Sequence, residues 1–192
     1  GGGAVSVFML GGALFAQGDL AVKDCVFFSN AASGAAGAIY VTGDLELIDS
    51  LLLQNAAGTH GGGVYASGNV TVENSDITLN TAGTYGGGIV ENPASAHGGG
   101  IYASENVTVE NSHITGNTAG MDGGGIYASY GDVYIESGVI AGNRAGREGG
   151  GVNAIGVVVN GGEISGNTAD TCGGGIYAYN GDVTVNEGGI YS

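Results

Sequence analysis

Gly98-Gly99-Gly100-Ile101-Tyr102, then Val107-Thr108-Val109, then Ile114-Thr115-Gly116-Asn117: these twelve residues, within the span 98–117, decide the fold. The pattern then begins again at Gly123-Gly124-Gly125-Ile126-Tyr127. Each apolar residue alternates with a polar or half-polar one, as in a strand with one buried face. The glycine run precedes each restart, where a chain must turn sharply.

The same unit recurs along the chain. Gly61-Gly62-Gly63-Val64-Tyr65 and Gly173-Gly174-Gly175-Ile176-Tyr177 repeat the opening, with weaker copies at Leu14, Ile39, Ile89 and Val152. Intervals between these anchors are 25, 25, 25, 12, 25, 26 and 24 residues. An alternating triplet follows at Leu20/Val22, Leu45/Leu47, Val70/Val72, Val107/Val109, Val133/Ile135, Val157/Val159 and Val183/Val185. A further apolar position comes at Phe27, Leu52, Ile77, Ile114, Ile140, Ile164 and Ile190. Three residues beyond it stands Asn30, Asn55, Asn80, Asn117, Asn143 or Asn167.

Three short strands in about 25 residues can close one coil of a solenoid. Coils then stack at roughly 4.8 Å, each position above its predecessor in the last coil. The expectation is an all-β parallel β-helix of about seven coils, forming a single domain over residues 1–192. The asparagine column is expected to pass amide hydrogen bonds from coil to coil, which offsets the cost of burying a polar group.

Composition agrees. The 192 residues include 43 Gly, one Pro and no Trp, and 18 acids against 3 Lys and Arg give a formal charge of −15. One proline and no Gly-X-Y period exclude collagen. Three basic residues cannot neutralise a nucleic-acid backbone, and they offer no basic face to an acidic membrane.

Gly11-Gly12-Ala13-Leu14 followed by Phe27-Phe28-Ser29-Asn30 resembles the paired GGA[ILV] and FxxN repeats of polymorphic outer-membrane proteins. Later copies, reading GGGI and IxGN, are similar to the wider class of right-handed β-helix surface proteins. The resemblance implies a right-handed, single-stranded β-helix and an extracellular, cell-surface location. It also implies the role of an adhesin passenger. No autotransporter β-barrel accompanies the repeats, so membrane insertion by this chain is not expected.

The irregular features carry the functional alternatives. Residues 90–98, with the only proline, read as a loop inserted at one corner, and loops on rigid scaffolds often carry binding. Val7-Phe8-Met9-Leu10 lacks a basic flank and precedes an in-phase Leu14, so it reads as a coil rather than a signal peptide. Gly2 and Ile190 hold the same repeat phase, and neither end shows a polar cap. This leaves two readings: a window cut from a longer passenger, or protomers that stack end to end into a filament. Lateral association is opposed by the acidic surface, and calcium or low pH would favour it.

Three columns could bind a partner. Tyr40, Tyr65, Tyr102, Tyr127 and Tyr177, with Phe15 before them, form an outward aromatic stripe interrupted by Val90 and Asn153. Such a stripe could stack on surface glycans, or its rings could simply stack on one another. The residues before the glycine runs are Ala35, His60, Tyr85, His97, Asp122, Glu148 and Cys172, and His97, Asp122 and Glu148 could share a divalent metal. Asp19, Asp44, Asn69, Asn106, Asp132 and Asp182 read as a turn column that calcium could stabilise.

Thr71, Thr108 and Thr184 do not make a regular array, because Glu46, Tyr134 and Val158 interrupt them. Cys25 and Cys172 lie too many coils apart to pair. A carbohydrate lyase needs a basic residue beside an acidic calcium site, and a hydrolase needs clustered carboxylates. Lys23 is isolated and Arg144 and Arg147 share one turn, so no catalytic residues and no required cofactor are expected. The expectation is a non-catalytic extracellular structural protein: a stalk, adhesin passenger or filament subunit. The alternatives are a glycan-binding module and, behind it, a polysaccharide lyase or hydrolase.

Overall fold

A computed structural model describes residues 12–83 and 96–191. Four parallel sheets run along one axis, three of seven strands and one of six. The first holds Leu14–Ala16, Ile39–Val41, Val64–Ala66, Ile101–Ala103, Ile126–Ala128, Val152–Ala154 and Ile176–Ala178. The second runs from Leu20–Lys23 to Val183–Val185, and the third from Val26–Phe28 to Gly189–Tyr191. Each strand pairs with its equivalent one coil away, so the β-solenoid has about seven turns of about 25 residues.

The fourth sheet was not expected. It consists of two-residue strands such as Ala57 with Ala56, Thr118–Ala119 and Arg144–Ala145. Its inward alanines at 57, 82, 119 and 145 are all essentially buried. A Thr-Ala pair beside an asparagine reads as a turn, because two residues are too few to show alternation.

Interior columns match the repeat. Ile39, Val64, Ile101, Ile126 and Val152 are fully buried in the first sheet, and Leu52, Ile77, Ile114, Ile140 and Ile164 in the third. Like residues stack on like, so each coil repeats the same packing problem and the same solution.

Residues 84–95 contain most of the expected loop, and Ile89, Val90 and Tyr85 lie outside the described residues. The pairing passes directly from Val64 to Ile101 and from Tyr65 to Tyr102. Val90 therefore does not interrupt the tyrosine column, and Tyr85 does not separate His60 from His97. The extra twelve residues enlarge one coil instead of adding a rung. The expected coil over residues 7–10 and the in-phase Gly2 also lie outside the described residues.

Glycine serves two different purposes in each run. Gly98 adopts φ +67°, the left-handed region that an L side chain resists. Gly99 does not; a β-carbon there would sit 2.3 Å from the Gly124 carbonyl oxygen. The expected sharp turn thus falls on the leading glycine alone, and the second lets adjacent coils touch.

Candidate functional site

The asparagine column forms a continuous ladder at the corner between the third and fourth sheets. The Asn80 backbone N–H and Nδ2 both donate to Asn117 Oδ1, at 2.8 and 3.1 Å. Asn117 Nδ2 donates to Asn143 Oδ1 at 3.0 Å and back to the Ile77 carbonyl at 2.8 Å. The same pattern links Asn30 to Asn55, Asn55 to Asn80, and Asn143 to Asn167. Asn55, Asn80, Asn117 and Asn143 are buried and hydrogen-bonded.

Two further ladders were less legible. The Asp/Asn turn column bonds between coils: Asp44 N–H donates to Asp19 Oδ1, Asn69 N–H to Asp44 Oδ1, and Asp132 N–H to Asn106 Oδ1. Its residues therefore do more than shape a local turn. A serine ladder escaped the sequence reading. Ser50 N–H donates to Ser75 Oγ at 2.9 Å, and Ser75 N–H to Ser112 Oγ at 3.0 Å. Cys25 stands in the same column and donates its N–H to Ser50 Oγ. Both cysteines are free thiols. The recurrence of Ser50, Ser75 and Ser112 just before the third-sheet strands was the available signal.

The aromatic stripe is a stack of rings. Successive centroids from Phe15 through Tyr40, Tyr65, Tyr102 and Tyr127 are 5.3, 4.7, 4.8 and 5.4 Å apart. Interplanar angles of 6° and 2° at its centre make the rings nearly parallel. Each inner ring thus turns its faces to its neighbours and presents only its edge to solvent. His60 and His97 form a second, shorter stack beside it, 5.4 Å apart. Burial, with the charge of His97 adding, lowers the His60 pKa to about 4.

Below His97 the column becomes ionic. Asp122 is 1% exposed and accepts a two-point fork from Arg147, Nε to Oδ1 at 2.9 Å and Nη2 to Oδ2 at 2.6 Å. The Glu148 N–H also donates to Oδ1. His97 Nδ1 lies 3.1 Å from Oδ2, near enough for charge attraction but out of line for a hydrogen bond. Burial pushes the Asp122 carboxyl up, yet His97 and Arg147 outweigh it and hold the pKa below its usual value. The suggested trio of His97, Asp122 and Glu148 is not assembled as a metal cage. Among the described residues no three His, Cys, Asp or Glu side chains converge on one point.

The tyrosine ladder breaks once. Asn153 sits in register between Tyr127 and Tyr177. A groove of about 520 Å³ opens there, lined by Tyr127, Tyr177 and Tyr179 with Arg147 and Glu148 at its edge. Tyr179 reaches across two coils, and its hydroxyl donates to the Ser129 carbonyl. Burial, followed by the neighbouring Tyr179 and Tyr102, pushes the Tyr127 hydroxyl up to about 12. The interruption by Asn153 was visible in the sequence; the groove was not, because Tyr179 arrives from outside the column.

Stacked parallel coils, columnar asparagines and glycine corners define a β-helix. The family model described as "Right handed beta helix region" matches residues 11–188, and the chain belongs to this family. No curated protein and no solved structure gives a significant match. Among the described residues, no helix is long and apolar enough to cross a membrane.

Proposed function

We propose that this chain is a non-catalytic, extracellular structural element: a β-helical rod serving as a surface stalk, adhesin passenger or end-to-end filament subunit. One observation carries the reading. The recurrent polar columns, Asn30 to Asn167, Asp19 to Asp132 and Ser50 to Ser112, are engaged in coil-to-coil hydrogen bonds. Side chains that a catalyst would aim at a substrate are here aimed along the axis. The formal charge of −15 keeps such rods apart laterally while leaving axial growth open.

Immunogold labelling of cells that make the protein tests this reading. Gold on thin rods outside the cell envelope is the expected result. Label confined to the cell interior, or turnover of acidic polysaccharides by the purified chain, would refute it.

A further inference from the structure

We propose that the break in the tyrosine ladder at Asn153 is a binding subsite for one pyranose ring of a neutral or amino-sugar glycan. This goes beyond the rod reading and does not depend on it. Three independent features meet at the break.

The first is ring faces. Stacking on a sugar requires an open aromatic face, and the inner rings of the stack have none. At Asn153 the stack stops: Tyr127 stacks on Tyr102 and on His97, among the described residues no ring of the Asn153 coil stacks on it, and Tyr177 stands two registers away. Two registers span about 9.6 Å. Carbon contacts of about 3.5–4.0 Å to each wall leave room for one puckered saturated ring, while a flat aromatic ring would fit loosely.

The second is an unused acceptor. Asn153 is 2% exposed, lines the groove, and its Oδ1 has no hydrogen-bond partner. The side-chain oxygens of Asn55, Asn80, Asn117, Asn143 and Asn167 all have theirs. A sugar hydroxyl donating to this oxygen supplies what the fold omits.

The third is charge. The Arg147 guanidinium is held in its fork with Asp122 and its Nη2 also lies 3.8 Å from Glu148 Oε2, so one cation faces two carboxylates at the groove and the Glu148 carboxylate keeps its other oxygen for a ligand. That carboxylate accepts from a hydroxyl or an amine, and repels a uronate. The walls and floor therefore select a neutral or amino pyranose.

Titration calorimetry with the full chain, using maltotriose, cellotriose, chitotriose and trigalacturonate, tests the assignment. The expected result is saturable binding of at least one of the first three and weaker binding of trigalacturonate. Asn153→Tyr, which puts a ring in the gap, and Tyr177→Ala, which removes a wall, should each weaken that binding about tenfold. Tyr40→Ala, in the same stripe but remote from the groove, should leave it unchanged. Absence of saturable binding by all three neutral or amino probes would overturn the proposal. So would full affinity in both groove variants, or preference for trigalacturonate. None of these results bears on whether the protein forms surface rods.

Discussion

Replacing Asn117 by alanine is the sharpest test of the ladder. The side chain takes part in four hydrogen bonds: two accepted from Asn80, one donated to Asn143 and one donated to the Ile77 carbonyl. Alanine leaves the Asn80 N–H and one Nδ2 proton of Asn80 without partners in a region closed to water, and takes from the Ile77 carbonyl one of its donors, the sheet ladder keeping the other. Each orphaned buried group costs about 1–3 kcal/mol. Partial relaxation reduces the sum, and a loss of about 3–4 kcal/mol is expected. Asn30→Ala supplies the control, because its side chain donates only to Asn55 and accepts no bond from a described residue. It should cost about 1 kcal/mol. Equilibrium urea unfolding followed by circular dichroism gives both numbers, with m-values checked because solenoids can unfold in parts. Equal losses for the two variants, or a loss below about 1 kcal/mol for Asn117→Ala, would refute the ladder as a major source of stability.

Two other outcomes follow from the corners and the histidine stack. Gly99→Ala places a β-carbon 2.3 Å from one backbone atom and 2.5 Å from another, and should cost about 3 kcal/mol. Gly142→Ala meets nothing closer than 4.0 Å, so only its left-handed φ matters, and about 1 kcal/mol should be lost in the same urea assay. His60 has a folded pKa of about 4, below its ordinary value of 6.5, so the unfolded chain takes up a proton that the fold resists. Stability is full above pH 6.5 and declines as pH falls toward about 4, by about 2 kcal/mol after allowing for solvent screening of a partly exposed ring. The His97 N–H donates to His60 Nδ1, so protonation at that atom removes the acceptor. Thermal melts of His60→Phe across this range should lack that part of the slope; an unchanged slope would place the titration elsewhere.

The coil length, the three long sheets and the asparagine ladder could be read from spacing, because each depends on a residue type recurring in phase. Ile101, Val107 and Ile114 announce their burial by alternation, and Asn117 by its fixed distance from Ile114. The fourth sheet was hidden because Thr118–Ala119 is too short to alternate. The serine ladder was hidden because serine is common at turns and Cys25 opens the column. The path of the enlarged coil was misread because Ile89 imitates an anchor, while the pairing joins Val64 to Ile101. The groove depends on Tyr179 crossing two coils to Ser129, a contact between residues fifty apart with no periodic trace.

The ladder also has an arrow. Every side-chain oxygen from Asn55 to Asn167 accepts from the coil before it, and among the described residues no side-chain-to-side-chain bond in the column runs in the opposite sense. The rungs are therefore vectors, all pointing one way along the axis. A coil placed upside down on either edge would meet donor with donor or acceptor with acceptor. A coil docking on either edge is therefore restricted to one orientation, and the two ends of the solenoid are chemically distinct.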